Sequence, residues 1–353
     1  MPLSSHEYQL TIRAWIRVIA PTLIVVACSA VILKTGSRLK LWPTPHVAAD
    51  PTTTVLLHQA RAAQSRQPAK LVLVGDSTCM VDVDAPALSR QLPGQPVVMN
   101  LALLIWLGFR TYGEALADFV EANPGQVDQV VLLVTPRKLS LDGDPNQEQL
   151  WQQLRAQARK QAGSPPAFGR SSDWIGSQEL RRNLLSHWLA TPLRGRGPGT
   201  EYYGFSSEVD VYMTAHRGSL LEFGTVSRPR HYQPAKLAPA PGLAAESRAF
   251  RGKVPARANL VIGLTPVAES YSSPAERRQR TELLSLWSSC IRADRVLTNL
   301  PVTLPDLFFA NEGHLNEAGQ KRFTELLARV LAPMLDSGQP GKSPDRRPAD
   351  TGP

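Results

Sequence analysis

Apolar residues gather in five short, nearly continuous runs, and between them they recur at helical spacing. The runs are Lys70 to Val74, Pro96 to Asn100, Gln129 to Thr135, Asn259 to Thr265 and Val296 to Leu300. Each is bounded by turn or helix signals, and near-continuous apolar character is what strands covered on both faces require. Ser273-Pro274-Ala275-Glu276 forms a capping box with proline at the first helical position, and Leu283, Leu284, Trp287, Cys290 and Ile291 follow at helical intervals. A last helix is predicted from about Asn316, with Phe323, Leu326, Leu327, Val330 and Leu331 as its inner stripe. Strands alternating with helices predict an α/β fold, a parallel doubly wound sheet between two helical layers.

Two regions break the alternation. From Val18 to Leu33 the chain carries no charge, with Arg13 and Arg17 before it and Lys34, Arg38 and Lys40 after. At ~1.5 Å per residue such a helix covers ~24 Å, and Trp15, Ile16 and a snorkelling Arg17 extend it toward the ~30 Å of a bilayer core. A buried core helix is the alternative, against which the flanking charges argue. Val25-Val26-Ala27-Cys28 resembles a lipoprotein cleavage box, but apolar residues continue past it, which favours an uncleaved anchor. Basic residues are comparable on the two sides and leave orientation open. The second break runs from Leu139 to Lys253, where two polar helices, around Asn146 to Ala162 and Ser177 to Leu189, precede Gly- and Pro-rich sequence. This region reads as an insertion forming a cap or wall beside a site, or a small separate domain.

The predicted order is thus a short N-terminal segment (1–17), a transmembrane helix (18–33), a juxtamembrane linker (34–68) with a short helix near Val55 to Ser65, and an α/β domain (69–333). The insertion occupies about 139–253, and residues 334–353 offer almost nothing to bury and are expected to be disordered.

Lys and Arg exceed Asp and Glu by 39 to 30, a formal charge of +9, but the basic residues are scattered and no nucleic-acid signature accompanies them. The three cysteines, Cys28, Cys79 and Cys290, have no metal-ligand spacing. Nucleic acid, metal and organic cofactor are therefore not expected.

Candidate chemistry lies at two places. In KLVLVGDSTCMVDVD the first strand ends at Val74, so Ser77 enters a crevice at the carboxyl end of the sheet, where ligands of open α/β folds bind. Gly75 allows the turn, and the Ser77 N–H is placed to stabilise an oxyanion. Near the other end, in PDLFFANEGHLNEAGQKRF, His314 precedes the last helix. A histidine that deprotonates a serine and then protonates the leaving group supplies what a weak oxygen nucleophile lacks. Cys79 is an alternative nucleophile, although a small buried residue is its simpler role. Trp106 and Phe109 suit either a pocket lining or core packing.

Together these blocks resemble the SGNH, or GDSL-type, hydrolase superfamily: Gly75-Asp76-Ser77 matches its first block, and Asn311 to His314 its last, extended by HLNEAGQKRF. The likeness covers roughly 69–138 and 257–333. It implies a three-layer flavodoxin-like fold, Ser77 as nucleophile, His314 as base and acid, and Gly108 as the second-block oxyanion donor, with Asp76 and Thr135 beside the substrate. Two departures stand out. Thr135-Pro136-Arg137 replaces the third-block asparagine, a version similar to membrane-anchored proteins of alginate O-acetylation and teichoic-acid D-alanylation. Asn311 stands where the family has the histidine-orienting aspartate; an amide can orient the ring without stabilising its charge, with Asp306 or Glu312 as substitutes. On that reading Asn311→Asp should raise activity.

The resemblance implies a membrane-anchored acyltransferase or acylesterase on the periplasmic side of the inner membrane, using an acyl donor and a cell-envelope or exported polysaccharide. The rival is a catalytically impaired binding or assembly partner of an integral-membrane acyltransferase or acyl exporter. A reporter fused after Lys40 should be active outside the cytoplasm. Recovery of the full chain in the soluble cytosolic fraction would remove the anchor and the envelope assignment together.

Overall fold

The computed structural model describes residues 51–161, 206–222 and 237–336, together with 17, 19–25, 27–29 and 31. Helix α1 (Pro51–Ala63) leads to β1 (Leu71–Gly75), α2 (Ser77–Asp82), α3 (Ala85–Gln91), β2 (Val98–Asn100), α4 (Phe109–Ala122) and β3 (Gln129–Val134). Then come α5 (Pro145–Gln161), α6 (Ser206–Ala215), α7 (Leu243–Arg251), β4 (Asn259–Leu264), β5 (Val267–Ala268) and α8 (Pro274–Ile291). Strands β6 (Arg295–Val296) and β7 (Thr303–Leu304) and helix α9 (Glu317–Asp336) complete the described elements.

Five parallel strands form the central sheet in the order β2-β1-β3-β4-β6, while β5 and β7 make a small parallel ribbon. The fold is α/β, and this order is compatible with a flavodoxin-like arrangement. Side-chain alternation explains the layers. Val72, Val74, Val130, Leu132, Leu260 and Ile262 face a core shared with α1, α4, α5, α7 and α8. Their neighbours Leu71, Leu73, Val131, Leu133 and Val261 face a second core with α2, α3 and α9. Both faces being covered, the strands read as unbroken apolar runs. The chain moves outward from β1 to β2 and then returns across β1 to β3. The loops after β1 and β3 therefore diverge and leave a crevice at their carboxyl ends.

Four boundaries differ from the sequence reading. The short helix expected near Val55 to Ser65 starts earlier, at Pro51, and packs into the domain: in α1, Leu56, Leu57, Ala60 and Ala63 are buried, and Gln59 Nε2 donates to Ala102 O at 2.8 Å. The supposed insertion is shorter than 139–253, because Trp151 of α5 and Phe250 of α7 are fully buried. Helix α7 packs on α4 and α8, so it is the crossover helix between β3 and β4. The last strand stops after two residues, since the chain turns back at Thr298, whose N–H donates to Val296 O at 3.1 Å. Met334 to Asp336 belong to α9, not to the tail.

Residues 337–353 and the helix expected at 177–189 lie outside the described residues. The apolar run 18–33 is described only in part; its described residues are helical, with Ile19, Leu23, Ile24, Val25 and Val31 from 42% to 63% exposed. Among the described residues no helix is long and apolar enough to cross a membrane.

Gly75 fixes the spacing of the two central strands. A Cβ there would lie 1.7 Å from Leu133 O, and its φ of +154° is itself disfavoured for other residues. Gly94 also has a positive φ, but a Cβ there meets nothing within 4 Å. Gly75→Ala should therefore lower unfolding stability by at least ~3 kcal/mol in urea titrations, against ~1 kcal/mol for Gly94→Ala. Equal losses at the two sites would contradict this account of the β1–β3 contact.

Candidate active site

The loop after β1 is organised by Asp76, the N-cap of α2. Its Oδ1 accepts from Thr78 N at 3.0 Å, and its Oδ2 accepts from Thr135 N at 2.9 Å across the crevice. Asp76 is fully buried. Burial pushes its carboxyl above the usual value, opposed by the hydrogen bonds of Thr78 and Thr135 and by the charge of Lys138. Its role is thus that of a strut between two loops, and the expectation that it touches substrate is not met. The strut sets Ser77 at the first position of α2, where backbone N–H groups have no intrahelical acceptor.

His314 reaches the same place from the loop before α9, and its Nε2 lies 2.9 Å from Ser77 Oγ. Several bonds hold that loop. Asn311 Oδ1 accepts from Gly313 N at 2.9 Å and His314 N at 3.0 Å, while Leu315 N donates to Asp82 Oδ1 at 2.9 Å. Asn316 Oδ1 accepts from Gly319 N at 3.0 Å at the start of α9. A Cβ on Gly319 would sit 2.1 Å from Phe308 O, which gives the His-Leu-Asn-x-x-Gly pattern a steric meaning.

The histidine's acidic partner is Glu222, which the sequence reading missed. His314 Nδ1 lies 3.1 Å from Glu222 Oε2, whereas Asn311 Nδ2 is 3.5 Å from that nitrogen and donates to the same Glu222 oxygen. Asn311 therefore shapes the loop and holds the carboxylate in place rather than replacing it. Asp306 is occupied elsewhere, accepting from Ser270 N at 3.0 Å, and Glu312 is exposed at the cavity edge.

Glu222 comes from the strip following α6. That strip is tied down by Leu220 N donating to Met80 O at 3.0 Å, Asn100 N to Arg217 O at 2.9 Å and Gln320 Nε2 to Leu220 O at 2.8 Å. A parallel bridge between Glu222 and Asn316 completes it. The only local signal was one acid closing the short apolar run Gly218-Ser219-Leu220-Leu221.

Burial lowers the His314 pKa, but the Glu222 hydrogen bond and charge, with Asp82 and Asp76 behind them, outweigh it and hold the imidazole above its ordinary 6.5. Asp82 is fully buried, and that burial pushes its carboxyl well above the usual range, partly offset by His314. Cys79 is also fully buried, its thiol pushed up by burial and then by Asp76, which removes it as a nucleophile.

A cavity of about 490 Å³ opens at this point, lined by Ser77, His314, Thr135, Leu104, Ile105 and Trp106 among others. Trp106 is 48% exposed, but Phe109 is core, packed against Tyr112 and Trp287. Gly108 does not serve as expected: it is the N-cap of α4, and its N–H donates to Glu148 Oε1 at 3.1 Å. The second-block loop instead lines the cavity with Leu104 to Trp106. The Thr135 N–H is likewise engaged by Asp76, although the residue itself lines the cavity. Among the described residues no group of three or more His, Cys, Asp and Glu could hold a metal ion.

No protein-family model matches the chain, and no curated protein matches it. The reading of the site therefore rests on its geometry. Serine, histidine and carboxylate in hydrogen-bonded sequence can move a proton off Ser77 Oγ as it attacks a carbonyl, and return it to a leaving group.

His314 must be neutral to accept that proton, and a raised pKa keeps it charged to higher pH. The acid limb of kcat/KM should accordingly lie above pH 6.5, activity falling as pH drops through it. Glu222→Gln removes the raising influence, so the limb should move to lower pH while the plateau drops on the order of 10³–10⁴-fold. Asn311→Asp sets a second carboxylate against Glu222 and should lower the plateau about tenfold, opposite to the expectation from sequence. A rise with Asn311→Asp, or an unshifted limb in Glu222→Gln, would refute the assignment.

Proposed function

We propose that this chain is an SGNH-type serine acyltransferase or acylesterase, held at a membrane by its N-terminal helix and acting outside the cytoplasm on a cell-envelope or exported polysaccharide. The observation that carries the reading is the relay from Ser77 through His314 to Glu222, with distances of 2.9 Å and 3.1 Å. The membrane anchor rests on the uncharged run from Val18 to Leu33 and its flanking basic residues. The polysaccharide substrate rests on the resemblance of the first and last blocks.

In this mechanism Ser77 Oγ attacks the acyl carbonyl and its proton passes to His314 Nε2, while Glu222 stabilises the imidazolium. The tetrahedral oxyanion is held by the Ser77 N–H, with the Thr135 hydroxyl as the neighbouring donor in the cavity. Collapse breaks the bond to the leaving group, which takes the proton from His314. A sugar hydroxyl or water, deprotonated by His314 in turn, then removes the acyl group from Ser77. No step calls for a metal or organic cofactor.

A second reading, a non-catalytic partner of an integral-membrane acyltransferase, draws on the Gly108 N–H being bonded to Glu148. A fluorophosphonate reagent separates the two. Labelling of the wild type that disappears in Ser77→Ala is expected. Absence of labelling in folded wild-type protein would favour the partner role.

A further inference from the structure

The cavity beside Ser77 contains a cation that the protein leaves uncompensated. Arg280, on α8, lines the cavity and is only 6% exposed. Its Nη1 donates to Val302 O and its Nη2 to Leu264 O, each at 3.0 Å, and both acceptors are neutral carbonyls. Among the described residues no carboxylate pairs with it. Burial alone lowers its pKa to about 10, with no neighbouring acid acting in the other direction. Elsewhere the chain houses a half-buried arginine differently: Arg155 lies 2.6 Å from Asp118 and 3.1 Å from Glu114. A buried guanidinium without an acid is costly unless an anion arrives.

Two further guanidinium groups line the same cavity. Arg277 stands three residues before Arg280 on α8, and Arg137 stands two residues after Thr135. Both are exposed, and among the described residues neither forms an ion pair. Glu276 and Glu312 also line the space, but the Glu276 carboxylate accepts from Ser273 N at 2.8 Å in the capping box, and Glu312 is exposed. Leu264 ends β4 and Val302 precedes β7, so the two carbonyls fix Arg280 at the carboxyl edge of the sheet, on the side that holds Ser77.

We infer that this cavity recognises an anionic group, a carboxylate or a phosphate, on the molecule that enters it, with Arg280 as the buried contact and Arg137 and Arg277 at the mouth. The inference rests on the reading of this space as the substrate cavity, but not on Ser77 chemistry. Forked guanidinium donors suit either oxyanion, and the exposed Trp106 beside them suits a carbohydrate ring. A neutral sugar would leave the buried charge of Arg280 without a counter-ion.

The test is calorimetric binding of glucuronate, glucose 1-phosphate and glucose to the full-length chain in detergent micelles, in wild type and in Ser77→Ala. At least one charged sugar should bind about tenfold or more tightly than glucose in both proteins, and weaken as salt rises. The tighter of the two names the carboxylate or the phosphate. The preference should fall about threefold in the Arg137→Gln/Arg277→Gln double variant and further in Arg280→Lys, which keeps charge but loses the fork. The double variant alters only exposed side chains, so it reports even if Arg280→Lys fails to fold. Equal affinity for all three sugars, no binding of either charged sugar at millimolar concentration, or a preference unchanged in the folded double variant overturns the inference. Charged-sugar binding without fluorophosphonate labelling would sink the acyl-transfer reading and leave this one standing.

Discussion

The carboxylate of Asp76 is fully buried, and the layout of the carboxyl edge of the sheet follows from how it is satisfied. One oxygen caps α2 and the other reaches Thr135 at the end of β3. A buried acid bonded to the start of α2 and to the end of β3 ties the crevice walls at a set separation. Gly75 permits that separation by letting β1 approach the Leu133 carbonyl, and Ser77 then follows from the first turn of α2. The placement of Ser77 is thus a by-product of satisfying one buried carboxyl group.

The remaining members of the site are delivered by different means. His314 rests on a loop whose backbone is bonded to Asn311 and Asp82, and whose packing against α9 depends on Gly319. Glu222 rests on a strip pinned to α2, β2 and α9 by backbone and glutamine bonds. The result is an imidazole held between a hydroxyl and a carboxylate, with additional buried acids behind it that favour its charged form. Such a base is strong, at the expense of being protonated over more of the acidic range.

What could be read from sequence was what depends on neighbours in sequence. The five strands, the capping box at Ser273 and the serine and histidine blocks all declare themselves within about a dozen residues. Glu222 does not, because its place is set by contacts to His314 and Asn311, the latter 89 positions away in the chain, and nothing near it marks it out. The same holds for Asn311: its match to the histidine-orienting position is visible in the sequence, but not the carboxylate it holds. Gly108 was assigned by spacing, and spacing does not reveal that Glu148 has claimed its N–H. Helix α1 is legible as a short helix near Val55 to Ser65, but its start resembles a linker because of its proline and threonines, and its burial depends on partners in α5 and α6.

Glu222 sits between Ser77 and His314 in chain order, on a strip that must dock onto both flanking regions. Synthesis is vectorial, so the nucleophile emerges first, its distant acid later and the base last. A nascent or truncated chain lacking the segment before α9 has a serine with no proton acceptor. The Ser77–His314 hydrogen bond therefore appears in one step, when the loop before α9 closes over α2, and no shorter product of the ribosome contains it.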